Sequence, residues 1–276
     1  MAITAKQVNE LRQITGAGMM DCKKALVEAD GDLEAAIDIL RKKGQKIAAK
    51  RADREATEGI ALAYTSEDGS EGLAFALNCE TEPVSNIDDF RNLGNSILEL
   101  ATTNKPADLQ ALLSLPLGGK TVNEVITDLT GKVGEKIEVS KYAYMKGERV
   151  VSYLHGKSIA VLVNLENTGG ADVEEAGKDV AMQIAAMKPV AVDQSGVDTS
   201  LIEKEKEIGL DKARQEGKPE HILEKIAEGF VRKFLQENTL LSQAFVKDNK
   251  QSVKQYLNSV QSGMTVKEFA RISTGR

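Results

Sequence analysis

At 276 residues, 41% hydrophobic and 28% charged, the chain is long enough to bury more than one core, and two or more subdomains are expected. A net charge of −6 and a pI near 5.3 argue against a free-standing nucleic-acid binder and favour protein partners. With only two histidines, His155 and His221, and no HExxH, GxSxG or paired-carboxylate constellation, neither a cofactor nor covalent catalysis is expected. Two cysteines in apolar-patterned segments, Cys22 and Cys79, no secretion signal and no apolar run of membrane-spanning length point to a cytoplasmic protein with reduced core thiols.

Thr4 with Gln7 reads as a capping box opening a short helix with Val8, Leu11 and Arg12, which breaks at Gly16-Ala17-Gly18. A second helix carries Cys22, Ala25, Leu26 and Ala29 on one face. After Asp30-Gly31-Asp32 a third carries Leu33, Ala36, Ile37 and Leu40. Met19 and Met20 follow the glycine loop, either as adaptable contact residues or as gap-filling core. Arg41 to Arg54 form a basic linker, read as a solvated helix or tether, and residues 1–54 form an N-terminal module.

Next come strands from Gly59 to Tyr64 and from Gly72 to Leu77, with a turn at Asp68-Gly69. The second strand leads through Asn78-Cys79-Glu80-Thr81-Glu82-Pro83-Val84 into a helix with Ile87, Phe90, Leu93, Ile97, Leu98 and Ala101 on one face. Pro83 biases Glu82 away from helical geometry, so this corner is expected to project and continue neither element. It is either a solvated connection or a binding feature. Leu117-Gly118-Gly119-Lys120-Thr121 imitates the end of a phosphate loop, but Ser114 stands where the first glycine belongs and Pro116 removes a donor. Thr121 with Glu124 is read instead as a capping box for a helix carrying Val122, Val125, Ile126 and Leu129.

The strand-and-helix pattern then repeats: Glu138 to Met145, a Gly147 turn, Arg149 to Tyr153, Ile159 to Leu165, and a helix from Asp172. This divides the core into a first unit over 55–137 and a second opening over 138–190. Ser200 with Glu203 opens a charged helix that stops at Gly217-Lys218-Pro219, and a second runs over Glu220 to Gln236. Residues 191–237 thus form an antiparallel helical hairpin. Residues 238–276 give a short helix with Val253, Tyr256 and Leu257 and a strand from Thr265 to Ile272 that completes the second unit.

The run from Leu11 to Gly44, LRQITGAGMMDCKKALVEADGDLEAAIDILRKKG, resembles the N-terminal signature of bacterial elongation factor Ts, the exchange factor for the GTPase EF-Tu. The resemblance continues through Asn78-Cys79-Glu80-Thr81, Gly134-Glu135-Lys136, Tyr153-Leu154-His155-Gly156 and Gln215-Glu216-Gly217-Lys218-Pro219. It implies an α+β fold: a UBA-like three-helix module, a core of two repeated strand-plus-helix subdomains, and a projecting hairpin that some members use for self-association. It also implies binding to GDP-bound and nucleotide-free EF-Tu, with no direct nucleic-acid or membrane partner. By position, Arg12, Met19, Met20 and Lys23 would meet the GTPase domain and His155 with Gly156 a second domain. Thr81, Glu82, Pro83 and Val84 would be the wedge that promotes GDP release by disturbing the magnesium and phosphate site. The family's usual Thr-Asp-Phe-Val is Thr-Glu-Pro-Val here: the acid is one methylene longer and the aromatic is gone. The chain stops at Arg276, so the longer C-terminal module of some relatives is expected to be missing.

Overall fold

The computed structural model describes residues 3–275 and is an α+β protein. Three helices open it, α1 (Ala5–Thr15), α2 (Met19–Glu28) and α3 (Leu33–Lys50). The Thr4–Gln7 capping box starts α1, and a left-handed Gly16 ends it. Val8, Leu11, Cys22, Ala25, Leu26 and Ala36 form the small core of this module. Of the two readings of the basic linker the helix holds, and the tether does not. Arg41 to Lys50 is the second half of α3, Arg51 is its C-cap, and the segment reaches the core.

The core is built twice. In the first unit β1 (Glu58–Thr65) and β2 (Glu71–Cys79) form a hairpin. Then come α4 (Glu82–Ser85), α5 (Asp88–Asn104), α6 (Leu109–Ser114), the two-residue strands β3 (Pro116–Leu117) and β4 (Lys120–Thr121), and α7 (Val122–Val133), before β5 (Ile137–Lys146) returns to pair with β2. In the second unit β6 (Arg149–His155) and β7 (Ile159–Glu166) form the hairpin. It is followed by α8 (Glu174–Met187), α9 (Thr199–Gln215), α10 (Glu220–Asn238), β8 (Ala244–Phe245), β9 (Asp248–Ser252) and α11 (Val253–Val260), and β10 (Thr265–Ser273) returns beside β7. The orders β1-β2-β5 and β6-β7-β10 are the same topology, antiparallel throughout.

The strand over Glu138 to Met145 corrects one expectation. It reads in the sequence as the opening of the second repeat, yet it pairs with β2 and is the closing strand of the first sheet. A half-exposed edge strand carries no mark of which neighbour it will choose, and local repetition alone misassigns it. The C-terminal strand pairs as the sequence predicts, at the outer edge of the second sheet.

The central strands explain the layering. Leu73-Ala-Phe-Ala-Leu-Asn-Cys-Glu80 and Ile159-Ala-Val-Leu-Val-Asn-Leu-Glu166 are counterparts in the two repeats. In β2 the larger Leu73, Phe75, Leu77 and Cys79 face α5, α6 and α7, while Ala74 and Ala76 face the other sheet. In β7 Val161, Val163 and Leu165 pack with α8 and α11, and Ala160 and Leu162 meet the first sheet. Alternation is thus bulky toward helices and mostly small toward the sheet–sheet seam, giving four layers: helix, sheet, sheet, helix. Each fully buried Leu or Phe contributes about 1.5–3 kcal/mol, so the two outer cores dominate the stability.

Asn78 and Asn164 are the buried polar exceptions in these strands. Asn78 Nδ2 donates to the carbonyls of Ala56 (3.0 Å) and Thr274 (2.7 Å), and its Oδ1 accepts from Ser140 Oγ (2.6 Å), so it ties the first sheet to the chain's last described turn. Asn164 Nδ2 donates to Lys146 O and Glu268 Oε1, both at 3.1 Å, and its Oδ1 finds no partner among the described residues.

The hairpin α9–α10 buries Gly209, Ala213, Leu223 and Ala227 between its own helices. Its start differs from the sequence expectation: the N-cap is Asp198, whose carboxylate accepts from Ser200 N–H at 2.8 Å, and Ser200 lies inside the first turn. Asp and Ser serve equally well as N-caps, so the sequence offers two candidates within three residues.

Candidate functional site

The end of β2 is where the sequence features converge. Thr81 is extended (φ −129°, ψ 149°) and caps α4, a single helical turn with Pro83 inside it. This corrects the expectation that Pro83 keeps Glu82 out of helical geometry: Glu82 opens the short helix α4. First-turn N–H groups have no intrahelical partner, so the missing proline donor costs nothing there. Thr81, Glu82 and Pro83 are exposed and Val84 is half-buried against the first core. Ser85 Oγ donates to the Glu82 carbonyl at 2.7 Å and closes the turn.

Three tethers fix this corner. The Thr81 N–H and hydroxyl both donate to the Glu135 carboxylate, at 3.0 and 2.8 Å. Glu80, one residue earlier, accepts from Arg51 Nη1 on both oxygens (2.7 and 2.8 Å) and from the Lys136 N–H (2.7 Å). Glu82 pairs with Lys157 Nζ at 2.7 Å. Partial burial alone would raise the Glu80 pKa, but the Lys136 N–H and Arg51 outweigh it and hold the carboxyl below its usual range. The Lys157 hydrogen bond and charge lower Glu82. Behind the corner, Cys79 Sγ donates to Thr81 O at 3.2 Å; burial, then the carboxylates of Glu135 and Glu58, push its thiol up to about 12.

Lys157 joins the corner to the second predicted region. It lies in the β6–β7 turn just beyond His155 and Gly156, and its carbonyl accepts from the Ala61 N–H of β1 at 2.8 Å. Gly156 adopts φ +59°, the left-handed geometry this tight turn needs. His155 is exposed, with Nδ1 3.0 Å from Tyr153 Oη, at the rim of a groove of about 610 Å³ that also borders Met182, Val246 and Arg271. The structure therefore brings Thr81–Val84 and the His155–Lys157 turn together across one ion pair.

In the N-terminal module, Arg12 is exposed in the last turn of α1. Met19 and Met20, 59% and 63% exposed, occupy the first turn of α2 with Lys23 exposed one turn on. Of the two readings for these methionines, gap-filling core is excluded. The module sits against α7 across a cleft of about 200 Å³ bordered by Ile14, Gly18, Leu40, Gly44 and Gly131. A Cβ on Gly131 would stand 2.5 Å from Gly44 Cα, so α3 and α7 cross at backbone contact that only glycine permits.

The rejected phosphate loop is a hairpin tip: Gly118 and Gly119, both at positive φ, turn β3 into β4, Lys120 pairs with Asp128, and Thr121 caps α7 in a capping box with Glu124. Among the described residues no group of three or more His, Cys, Asp and Glu could hold a metal ion, and no helix is long and apolar enough to cross a membrane.

Sequence reasoning missed Arg51, Glu135 and Lys157 as corner tethers. Arg51 was hidden in a basic run, and Lys157 was two residues from a histidine that drew attention first. A charged residue directly at the end of a buried strand, as Glu80 is, was the available signal that a partner had to be found for it.

A family model described as elongation factor TS matches residues 80–276. Curated relatives named elongation factor Ts include proteins of Cytophaga hutchinsonii (56% identical, covering 98% of each chain) and Amoebophilus asiaticus (53%, covering all of both chains). That of Christiangramia forsetii is 48% identical over 99% of each. Matched by the family model over the corner and everything that follows it, and by these relatives from end to end, the chain belongs to the elongation factor Ts family.

Proposed function

We propose that this chain is a guanine-nucleotide exchange factor for EF-Tu, acting in the cytoplasm during polypeptide elongation and making or breaking no covalent bond itself. The observation that carries the reading is the convergence at Thr81–Val84: an exposed acid, proline and half-buried valine on one turn, gripped by Glu135 and joined through Lys157 to the His155–Gly156 turn. A preorganised corner of this kind loses little entropy on docking, so its contacts are available for changing the partner. Arg12, Met19, Met20 and Lys23 supply a second contact on the GTPase domain, and His155 with Gly156 a third on another domain of the partner.

Exchange requires that the factor bind nucleotide-free EF-Tu more tightly than the GDP-bound form; nucleotide then binds less tightly to the complex by the same factor. A thousandfold weakening of GDP asks for about 4 kcal/mol of differential binding. In this reading Thr81, Glu82, Pro83 and Val84 insert beside the magnesium and phosphate site and supply that difference.

A second reading is favoured by Pro83, which stands where the family pattern has an aromatic ring: the chain binds and stabilises EF-Tu with weak exchange activity. Fluorescent GDP release from EF-Tu separates the two. On the exchange reading, adding the chain speeds release by at least about tenfold. Tight binding without acceleration supports the stabiliser, and no binding rejects both.

A further inference from the structure

The two repeats end their central strands on equivalent glutamates, and these find cations in different places. Glu166 pairs with Lys267 Nζ at 3.3 Å, on β10 of its own sheet. Glu80 instead reaches Arg51, the C-cap of α3, which comes from outside the repeat. Its side chain is 16% exposed, and both oxygens meet one guanidinium nitrogen while one of them also takes the Lys136 N–H.

Arg51 continues a stripe. Leu40, Gly44, Ile47 and Arg51 follow at intervals of four, three and four, the spacing of one helical face. Gly44 on that stripe touches Gly131 of α7, and Arg41 Nη2 reaches Glu124 at the start of α7 at 2.7 Å. Lys136, whose N–H meets Glu80, also donates through Nζ to the Arg54 carbonyl at 3.1 Å. The α3 helix thus spans from the module that carries Met19 and Met20 to Arg51, which grips the residue preceding the corner.

We propose that Arg51 is a positioning residue: through Glu80 it holds the Thr81–Val84 corner in register with the N-terminal module, so that docking of one places the other. This rests on the exchange reading above. Binding through Met19 and Met20 needs only the module, whereas displacement of nucleotide needs the corner at a fixed distance and angle from it. Loss of the tie leaves the first and weakens the second.

The test compares the full-length chain with Arg51→Ala, Arg51→Lys and the double variant Arg51→Ala/Glu80→Ala. For Arg51→Ala the maximal rate of GDP release at saturating factor is expected to fall about threefold to tenfold, with the half-saturating concentration changed by less than about twofold. Arg51→Lys, which keeps a cation within reach of Glu80, restores most of the rate, and the double variant falls no further than Arg51→Ala. Hydrogen exchange of the free chain gives a readout that does not depend on EF-Tu. The hydrogen-bonded amides of Thr81, Asn86 and Lys136 exchange faster in Arg51→Ala, while those of Leu93 and Ile97 in α5 do not change. Unchanged exchange at Thr81, Asn86 and Lys136 overturns the positioning role. Faster exchange with an unaltered release rate, or a rate loss matched by loss of half-saturation and of thermal stability, overturns its part in nucleotide release. A wild-type chain that accelerates no release defeats the exchange reading itself, and hydrogen exchange then decides alone whether Arg51 holds the corner.

Discussion

The two repeats end their central strands in corners that are held alike and presented differently. In the first, the N–H and hydroxyl of Thr81 donate to Glu135; in the second, the N–H and hydroxyl of Thr168 donate to Glu148 at 2.8 and 2.5 Å, joined by the Asn167 N–H at 2.8 Å. The Thr168 hydroxyl, then the two N–H groups, holds the Glu148 carboxyl below its usual range. Beyond the clamp the resemblance stops. Thr81 is exposed and leads into Glu82, Pro83 and Val84, whereas Thr168 is buried and leads into Gly169, Gly170 and Ala171. The clamp chemistry recurs although Glu135 precedes β5 and Glu148 precedes β6, and the side chains set just past it are what separate a candidate contact from a plain connection.

Core substitutions should break the equivalence most strongly. Phe75 and Val161 occupy matching positions, both fully buried on the helix-facing side of their sheets. Phe75→Ala is expected to cost about 3–5 kcal/mol and Val161→Ala roughly 2 kcal/mol, measured by urea denaturation. Equal losses would mean that the apolar area buried in the outer cores does not govern the stability.

The buried asparagines sharpen the comparison at smaller scale. Asn78 has its donors and its acceptor engaged and spans to Thr274, whereas the Asn164 oxygen has no partner among the described residues. Asn78→Leu should cost about 3 kcal/mol and Asn164→Leu about half as much, because fewer groups are orphaned. The reverse order in paired denaturation curves would show that the Asn78 network contributes little.

Pro83→Phe tests whether the exposed corner is limited by its missing ring. A phenylalanine can remove roughly 150–250 Å² from water on binding, a larger gain than the about 0.4–1 kcal/mol that proline saves by stiffening the turn. GDP release from a standard bacterial EF-Tu is expected to speed up about threefold to tenfold, and a slower rate would remove the wedge from this position.

The smallest effect is electrostatic. Glu82 and Glu148 both have folded-state pKa values held below the unfolded value, so each contributes stability that is present above the unfolded pKa and is lost as pH falls through the folded one. In a carboxyl NMR titration, Lys157→Ala should move the Glu82 midpoint upward and leave Glu148 unmoved. A Glu82 midpoint that stays put would show that Lys157 does not hold it.

Much of this architecture was legible in the chain. The capping boxes at Thr4 and Thr121, the apolar runs of β2 and β7, and the glycine break after α1 are local signals, and the structure follows them. Long-range choices were not legible. Nothing in Glu138 to Met145 says that it joins β2, and nothing in the run from Arg41 to Arg54 says that it will cross α7 at Gly131 and reach Glu80 through Arg51. Such choices depend on partners far away in sequence: Arg51 and Glu80 are 29 residues apart, and Glu82 and Lys157 are 75 apart. The candidate site was therefore readable as separate pieces, and its assembly required the structure.

One paired measurement addresses the central claim, that the first corner acts on the partner and the second only holds the fold. Glu135→Ala and Glu148→Ala remove the same clamp from the two corners, and GDP release from EF-Tu at saturating factor is recorded for each alongside its thermal midpoint. Similar losses of stability, with release slowed by about tenfold or more in Glu135→Ala alone, are the predicted result. Equal slowing in both variants, or slowing in Glu148→Ala alone, would contradict it.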